Sequence, residues 1–271
     1  MVSGYVSSQS VEEFPPRPDF IPGAPDRYPG EFLRAIVGSR GFGMATANSD
    51  TDIMGVCIEP PEQVIGLIPF EQHQFQSQPS NEKAGPDDVG GTIYSLRKFM
   101  RLAIKGNPTV LTLFFVPPEL RVYDGILADD FRAITPDVIS KSVARPFLGY
   151  MTAQVDKMLG IRSAHTNRPE LIEQFGFDVK FASHAVRLGL QGVEILSTGK
   201  LTLPMTQDAR DVVMSIREGR WTQPEVIEYV KELTEQIRGL AETSPLRPTP
   251  DETRVNQFLI DAYQMQWSKG Y

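Results

Sequence analysis

The chain has 271 residues, of which 41% are hydrophobic and 23% charged, a composition typical of a globular protein with one large or two modest domains. Its net charge of −7 argues against a broad basic surface that coats nucleic acid, although it leaves room for a local basic groove. The single cysteine, Cys57, excludes an internal disulfide and argues against a structural zinc site. No segment approaches the roughly 20 apolar residues that span a bilayer, and the N-terminus lacks a secretory pattern, so we expect a cytoplasmic protein with no membrane partner.

The first part of the chain changes from a proline-rich segment to alternating apolar patterns. Residues 1–28 show little apolar periodicity, which predicts an extended or partly disordered arm that could pack on a partner. EFLRAIVGS (31–39) predicts a strand or a short helix end, and IMGVCIEPP (53–61) predicts a strand closed by two prolines. The polar segment 71–88 predicts a long hairpin connection, which a short strand over 89–94 follows.

Helical signals become dominant further along the chain. SLRKFMRLAIKG predicts an amphipathic helix capped by Ser95, and Asn107-Pro108 predicts the start of another helix. Beyond about residue 124 the strand signals thin out, and a Thr222-x-x-Glu225 capping box opens one of several helical segments. The sequence therefore predicts a mixed α and β first half and a mostly helical second half.

The stretch VGSRGFGMATANSDTDIMGV (37–56) combines a glycine-containing loop with two aspartates at the start of an apolar run. It does not fit three better-known loops. A Walker A loop needs Lys and Ser or Thr where Met44 and Ala45 stand, and a dinucleotide fingerprint needs glycine at Thr46. A calcium loop needs a carboxylate where Pro61 stands. Two interpretations of this stretch remain: a polar turn, or a site that binds a metal ion and a phosphate.

Strand geometry favours the metal and phosphate site. Side chains two residues apart on a strand point to one face, so Asp50 and Asp52 are expected to project together. Converging carboxylates raise each other's pKa unless a divalent cation lies between them, and Mg²⁺ or Mn²⁺ suits an oxygen site completed by substrate phosphates. Gly38 and Ser39 can offer backbone N–H groups and a hydroxyl to phosphate, with Arg40 as a nearby cation.

These residues resemble the nucleotidyltransferase signature of the DNA polymerase β superfamily: Gly38-Ser39, a loop, then Ser49-Asp50-x-Asp52-x-x-Gly55. YSLRKFMRLAIKGNPTVLTLFF and FGFDVKFASHAVRLGLQGVEILSTGKLTLP are similar to later segments of predicted bacterial and phage members, some of them associated with RNA repair. The resemblance implies an α+β fold, with a polymerase β-like catalytic domain of mixed sheet and helices over residues 29–130. A mostly helical domain would follow over residues 131–271.

The resemblance also implies a reaction: with Mg²⁺ or Mn²⁺, a nucleoside monophosphate moves from a nucleoside triphosphate to an acceptor hydroxyl, and pyrophosphate leaves. The superfamily usually uses three carboxylates, and here Gly90 stands at the aligned third position. Asp88 lies two residues earlier and keeps strand parity, with Asp87 beside it. We predict Asp50, Asp52 and Asp88 as the catalytic and metal-binding residues; if neither Asp87 nor Asp88 serves, the general base is missing.

A second group of candidate residues lies in the helical half. Lys180, His184 and Arg187 fall on one face of a predicted helix. They form either a cationic stripe that faces the nucleotide or a solvated polar face, and the resemblance of FDVKFASHAVRL to a family motif supports the first. The predicted nucleotide-binding residues are Gly38, Ser39, Arg40, Ser49, Lys180, His184 and Arg187.

The acceptor is open to several interpretations. The resemblance to the RNA-repair group favours a tRNA or other RNA 3′ end as the acceptor. A protein side chain and a small hydroxylated molecule are the next candidates. Two alternatives to an enzyme are a catalytically silent nucleotide- or RNA-binding module and an antitoxin-like regulatory protein that holds a partner through its arm and helical half.

Overall fold

A computed structural model describes residues 21–79, 84–161 and 168–269 of the chain. The strands are β1 (Glu31–Ile36), β2 (Thr51–Cys57), β3 (Gln72–Gln76), β4 (Val89–Ser95) and β5 (Arg121–Asp124). The helices are α1 (Gly38–Gly41), α2 (Pro61–Ile65), α3 (Leu96–Ile104), α4 (Pro108–Leu111), α5 (Ala128–Ala133), α6 (Thr135–Val138), α7 (Ala144–Met158), α8 (Pro169–Phe175), α9 (Val179–Thr198), α10 (Gln207–Arg217), α11 (Gln223–Thr243) and α12 (Glu252–Ser268). Among the described residues, no helix is long and apolar enough to cross a membrane.

The strands form a mixed sheet in the order β3-β4-β2-β1-β5. β2 and β4 run parallel, with Asp52 opposite Gly90, whereas the other neighbouring strands are antiparallel. β2 is central, and its residues from Ile53 onward are buried. Because helices make up the described chain after β5, the α+β prediction of a mixed sheet followed by a mostly helical region is confirmed.

The predicted helix caps are present in the structure. The hydroxyl of Ser95 accepts a hydrogen bond from the N–H of Lys98 at the start of α3. The side chain of Asn107 accepts one from the N–H of Thr109 at the start of α4. The Thr222 capping box is present. The prediction for residues 71–88 was wrong in one respect, because the segment contains β3. This strand is at the edge of the sheet, where polar side chains can remain in solvent.

The end of the predicted proline-rich arm packs on the sheet, whereas residues 1–20 lie outside the described residues. Ile21 is buried against Ile53 and Val89. The guanidinium of Arg34 donates to the carbonyl of Pro25 at 2.8 Å. Residues 21–28 are therefore held by both apolar and polar contacts.

Helix α9 is the centre of the helical half and packs against α7, α10 and α11. Two glycines allow α11 to approach closely. A Cβ on Gly189 would lie 2.7 Å from Leu233, and one on Gly192 would lie 2.8 Å from Ile237. These contacts fix which face of α9 is covered by other helices, and the opposite face is directed at the sheet.

The last helix, α12, is attached to the end of β2 through a buried glutamate. The hydroxyl of Tyr263 donates to the carboxylate of Glu59 at 2.7 Å, and the indole N–H of Trp267 donates to the Glu59 carbonyl at 3.0 Å. Glu59 is fully buried, and burial raises the pKa of its carboxyl group. The Tyr263 hydroxyl therefore satisfies one oxygen, Oε2, of a carboxyl group that has no access to water.

Replacing Tyr263 with phenylalanine removes the hydroxyl donor of the buried Oε2 of Glu59. We expect Tyr263→Phe to lower the free energy of unfolding by about 1–3 kcal/mol in urea denaturation. Tyr229→Phe is the control, since Tyr229 on α11 is also partly buried and none of the described residues makes a hydrogen bond to its hydroxyl. Equal effects of the two substitutions would contradict the role of the Glu59 contact.

Candidate active site

A cavity of about 1450 Å³ lies between the sheet and the helical half. The sheet side contributes α1, the start of β2, and β4, and the helical side contributes α9 and the end of α10. Residues that represent these elements are Gly38, Asp52, Gly90, Lys180 and Arg217. The cavity therefore brings together side chains from both halves of the sequence.

The turn from β1 into α1 places the backbone of Gly38 against Asp52. The N–H of Val37 donates to the Asp52 carbonyl at 2.9 Å, and Gly38 then adopts φ +61°. A Cβ on Gly38 would lie 2.6 Å from Cγ of Asp52 and would overlap the carboxylate. Glycine is required here both for its backbone conformation and for the space that the carboxylate occupies.

The predicted pair of carboxylates is present in the cavity. Asp50 lies immediately before β2 and Asp52 within it, and both line the cavity wall. Burial raises the pKa of Asp52, and the negative charge of Asp50 raises it further, whereas Lys180 lowers it. Two oxygen-donor side chains that repel each other in a partly buried place are a suitable set for a divalent cation.

The structure does not bring Asp88 together with this pair. Asp88 precedes β4, and its two carboxylate oxygens accept hydrogen bonds from the hydroxyl of Ser77 at 2.8 Å and the N–H of Gly85 at 2.7 Å. Neither Asp87 nor Asp88 lines the cavity, and no group of three Asp, Glu, His or Cys side chains within the described ranges could share a metal ion. The Asp88 carboxylate is instead held by Ser77 and by the turn that begins at Gly85.

Two other predicted residues have local structural partners. The guanidinium of Arg40 donates to the carbonyls of Ser49 at 2.9 Å and Asp50 at 3.1 Å, and Arg40 does not line the cavity. It therefore positions the backbone that leads into β2, rather than extending toward a phosphate in the cavity. Ser49 and Ser39 line the cavity, and the Ser49 hydroxyl also accepts the N–H of Thr46 at 2.9 Å.

The cationic stripe of α9 faces the cavity. Asp178 caps the helix by accepting the N–H groups of Lys180 and Phe181, and Lys180, His184 and Arg187 all line the wall. Burial and then the charges of Arg187 and Lys180 lower the pKa of His184 to about 3, so that its imidazole is neutral at pH 7. The stripe is thus not the solvated polar face that spacing alone also allowed.

Arg187 is a buried cation with uncharged neighbours. Its guanidinium lies 4.1 Å from the centre of the Phe42 ring, and it donates to the side-chain oxygen of Gln191 at 2.8 Å. Burial lowers the pKa of Arg187 to about 10. A cation in such a place attracts an anionic ligand, because the protein supplies little compensating charge.

Sequence reasoning missed two arginines of the same wall. Arg168, just before α8, pairs with Asp178 at 3.1 Å, and Arg217, the last residue of α10, donates to the Met44 carbonyl at 3.3 Å. Both line the cavity. No local pattern distinguishes them from surface arginines, since their position depends on how α8 and α10 pack on α9.

Replacing Gly38 with alanine tests the contact with Asp52. We expect Gly38→Ala to lower the free energy of unfolding by about 1–3 kcal/mol in thermal or chemical denaturation, since the Cβ both strains a left-handed backbone and displaces the carboxylate. Gly41→Ala in the same helix is the control, because a Cβ there would meet its nearest neighbour at an ordinary 3.5 Å. A Gly38 variant as stable as the Gly41 variant would contradict the geometry.

The chain is similar to a family of known proteins, to a phage protein and to a solved structure. The family described as RNA repair pathway DNA polymerase beta family (RlaP) matches residues 32–261. A phage T4 protein, described as an uncharacterized 38.9 kDa protein in the nrdC-mobD intergenic region, is 26% identical over 127 residues, which are 46% of this chain and 38% of the phage protein. The crystal structure of a nucleotidyltransferase-like protein from Exiguobacterium sibiricum 255-15 aligns with 80% of this chain and 70% of its own, at 10% identity and a TM-score of 0.30.

Proposed function

The chain belongs to the RNA repair pathway DNA polymerase beta family, and we propose that it is a metal-dependent nucleotidyltransferase. In the proposed reaction the acceptor hydroxyl attacks the α-phosphate of a nucleoside triphosphate, and pyrophosphate leaves. The observation that carries this proposal is that Asp50 and Asp52 share one cavity with the cationic face of α9. Such an arrangement suits a ligand that combines a metal ion with a phosphate chain.

Asp50 and Asp52 are the residues that would hold Mg²⁺ or Mn²⁺. Their oxygen donors fit these ions, and a magnesium site commonly uses one or two protein carboxylates together with substrate phosphates. Burial and then the charge of Asp50 raise the pKa of Asp52, and a bound cation would offset both effects. When bound, the ion would neutralise charge on the triphosphate and make the acceptor hydroxyl more acidic.

The remaining residues would bind and orient the phosphates. Gly38 and Ser39 can offer backbone N–H groups and a hydroxyl beside the carboxylate pair, and Lys180 and Arg187 can bind phosphate oxygens from the opposite wall. His184, which is neutral, can donate one hydrogen bond without adding to the positive charge. Because all these groups are fixed by the fold, they can stabilise the charge that develops on the leaving pyrophosphate with little rearrangement.

For the acceptor we propose an RNA 3′ end, on the basis of the repair pathway in the family description. A protein side chain and a small hydroxylated molecule are the other acceptors that an experiment has to include. The net charge of −7 would by itself repel RNA, so the cations that line the cavity would have to bind the RNA end locally.

One observation favours a second candidate function, a nucleotide-binding module without catalysis. Gly90 lies opposite Asp52 in the parallel pair of β2 and β4 and lines the cavity, but it has no side chain to accept a proton. Space for one exists, since the nearest atom to a Cβ there would be the Phe75 carbonyl oxygen at 3.8 Å. A protein that kept the fold and lost a third carboxylate would have this arrangement.

Transfer of label from α-phosphate-labelled nucleoside triphosphates tests the proposal. With Mg²⁺ or Mn²⁺ and a pool of total RNA and protein, we expect wild-type protein to label the RNA. Asp52→Asn should reduce transfer at least about 100-fold because it removes a charged group from the reacting centre. Asp88→Asn is the control and should keep transfer within about 3-fold, since Asp88 holds a turn outside the cavity.

Each other outcome has a definite meaning. Nucleotide binding without Asp52-dependent transfer would overturn the enzyme and favour the silent module. Label on protein or on a small molecule would keep the enzyme and overturn the RNA acceptor. Equal losses for Asp52→Asn and Asp88→Asn would contradict a centre built on two carboxylates.

A further inference from the structure

We propose that Gln74, Gln76 and Gln78, here called the glutamine row, bind the terminal nucleoside of the acceptor RNA and recognise its base. The inference deepens the proposed function, on which its place in the reaction rests. The three glutamines alternate with other residues in QHQFQSQ (72–78), which forms the edge strand β3 and the segment just after it. All three line the cavity. They supply neutral hydrogen-bonding groups that neither the metal ion nor the phosphates would use.

The pairing of the strands places the glutamine row beside Asp52. Gly90 of β4 lies opposite Asp52 of β2, and Gln76 of β3 lies opposite Gly90, so these three residues form one line across the sheet. Paired residues on neighbouring strands project to the same face, and so do residues two apart on one strand. Gln74 therefore shares the face of Asp52, whereas Phe75 packs with a small apolar cluster on the other face.

Gly90 leaves the space between Asp52 and Gln76 open. A Cβ at Gly90 would meet its nearest atom, the carbonyl oxygen of Phe75, at an ordinary 3.8 Å. Neighbouring strands lie about 4.7–4.9 Å apart, so two strand spacings separate the backbones of Asp52 and Gln76 by roughly 10 Å. A ligand that fills this space would reach the glutamine row at one end and the carboxylate pair at the other.

The lining of the cavity is divided by charge. Among the described residues, its charged members lie at the start of β2, on α8 or just before it, on α9 and at the end of α10. The part that β3, β4, α4 and their adjoining segments contribute is uncharged, and its polar members include Gln74, Gln76, Gln78, Thr92, Tyr94 and Thr109. An uncharged wall with many donors and acceptors favours a neutral polar ligand, such as a nucleoside, over a phosphate or a metal ion.

Gln78 has an acceptor atom that the protein leaves without a donor. Its Oε1 is buried, and none of the described residues donates a hydrogen bond to it. The backbone beside it is fixed, because the N–H of Ser77 donates to the Val89 carbonyl at 2.8 Å and so continues the pairing with β4. Buried polar atoms are normally hydrogen-bonded, so this oxygen is suited to a donor on a ligand.

The geometry of the proposed reaction assigns the glutamine row to the acceptor. The attacking and leaving oxygens of a phosphoryl transfer lie roughly in line, on opposite sides of the phosphorus. Gly38 contacts Asp52 from the β1 side, and the proposed phosphate site extends from there to α9. Because β4 and β3 lie on the other side of Asp52, the acceptor is expected over Gly90 and the glutamine row.

The side-chain amides of the glutamine row favour a base as the group that they recognise. An amide presents a donor and an acceptor side by side, which matches the paired groups on the edge of a base. Glutamine forms such a pair of hydrogen bonds with N6 and N7 of adenine. We therefore expect adenosine as the preferred terminal nucleoside of the acceptor.

Binding of single-stranded oligoribonucleotides to the full chain tests the inference without any reaction. The probes carry a 5′ fluorescein and differ only in the 3′-terminal nucleoside, and fluorescence anisotropy gives their Kd without nucleoside triphosphate or divalent metal. We expect the adenosine-ended probe to bind wild-type protein at least about 5-fold more tightly than any of the other three. The double variant Gln74→Leu/Gln76→Leu should bind this probe about 10-fold more weakly and distinguish the four probes by less than about 2-fold.

Gln72→Leu is the matched control. Gln72 lies on the same strand and, by strand alternation, on the same face, but it does not line the cavity. Its substitution should change binding of the adenosine-ended probe less than about 2-fold. Gln74 and Gln76 are exposed, so thermal denaturation should show that the double variant folds. Equal affinity of wild-type protein for the four probes, or an equal loss for Gln72→Leu and the double variant, would overturn the inference.

Binding of a nucleoside triphosphate with Mg²⁺ shows which of the two nucleosides the glutamine row holds. The double variant should bind the nucleoside triphosphate within about 2-fold of wild type, because the phosphate and metal groups are unchanged. Loss of nucleoside triphosphate binding with unchanged RNA binding would place the base of the nucleotide on the glutamine row and overturn the inference.

The inference and the proposed function can fail separately. Asp52→Asn should abolish label transfer and keep the preference for the adenosine-ended probe. A base preference that depends on the glutamine row, without any label transfer, would refute the enzyme and support the inference. Label transfer by the double variant with the wild-type KM for RNA would support the enzyme and refute the inference.

Discussion

The carboxylate of Asp52 lies against the backbone of Gly38, with no space for a side chain between them. The antiparallel pairing of β1 and β2, with Ile36 opposite Ile53, brings the two residues together, and the bond from Val37 to the Asp52 carbonyl fixes the turn. The start of α1 and the acidic end of β2 are consequently one unit. A phosphate that contacts Gly38 and Ser39 would lie beside the carboxylates that can hold its metal ion.

The helical half supplies the opposite charge to the same cavity. Close packing of α9 on α11 at Gly189 and Gly192 orients the α9 face that carries Lys180, His184 and Arg187 toward the sheet. The sheet side carries Asp50 and Asp52, and the helical side carries four cations together with Glu170. A metal ion with a phosphate chain would carry both kinds of charge that these two sides can bind.

The sequence predicts those parts of the fold and of the candidate site that depend on neighbouring residues. Asp50 and Asp52 share the cavity because strand parity holds at the start of β2, and the helix caps follow from nearby donors and acceptors. Asp88 differed because its carboxylate accepts hydrogen bonds from Ser77 and Gly85, and local spacing does not reveal these contacts. Arg40 binds backbone carbonyls that come near only after folding, and Arg217 reaches the cavity only through the packing of α10, so sequence spacing could reveal neither position.

The most direct test of the central claim is a crystal structure with Mn²⁺ and a non-hydrolysable nucleoside triphosphate, in which anomalous scattering locates the metal. We predict a manganese peak at the carboxylates of Asp50 and Asp52, with the phosphate chain extending from Gly38 toward α9. A nucleotide bound outside this cavity, or manganese bound away from both aspartates, would contradict the assignment of the site.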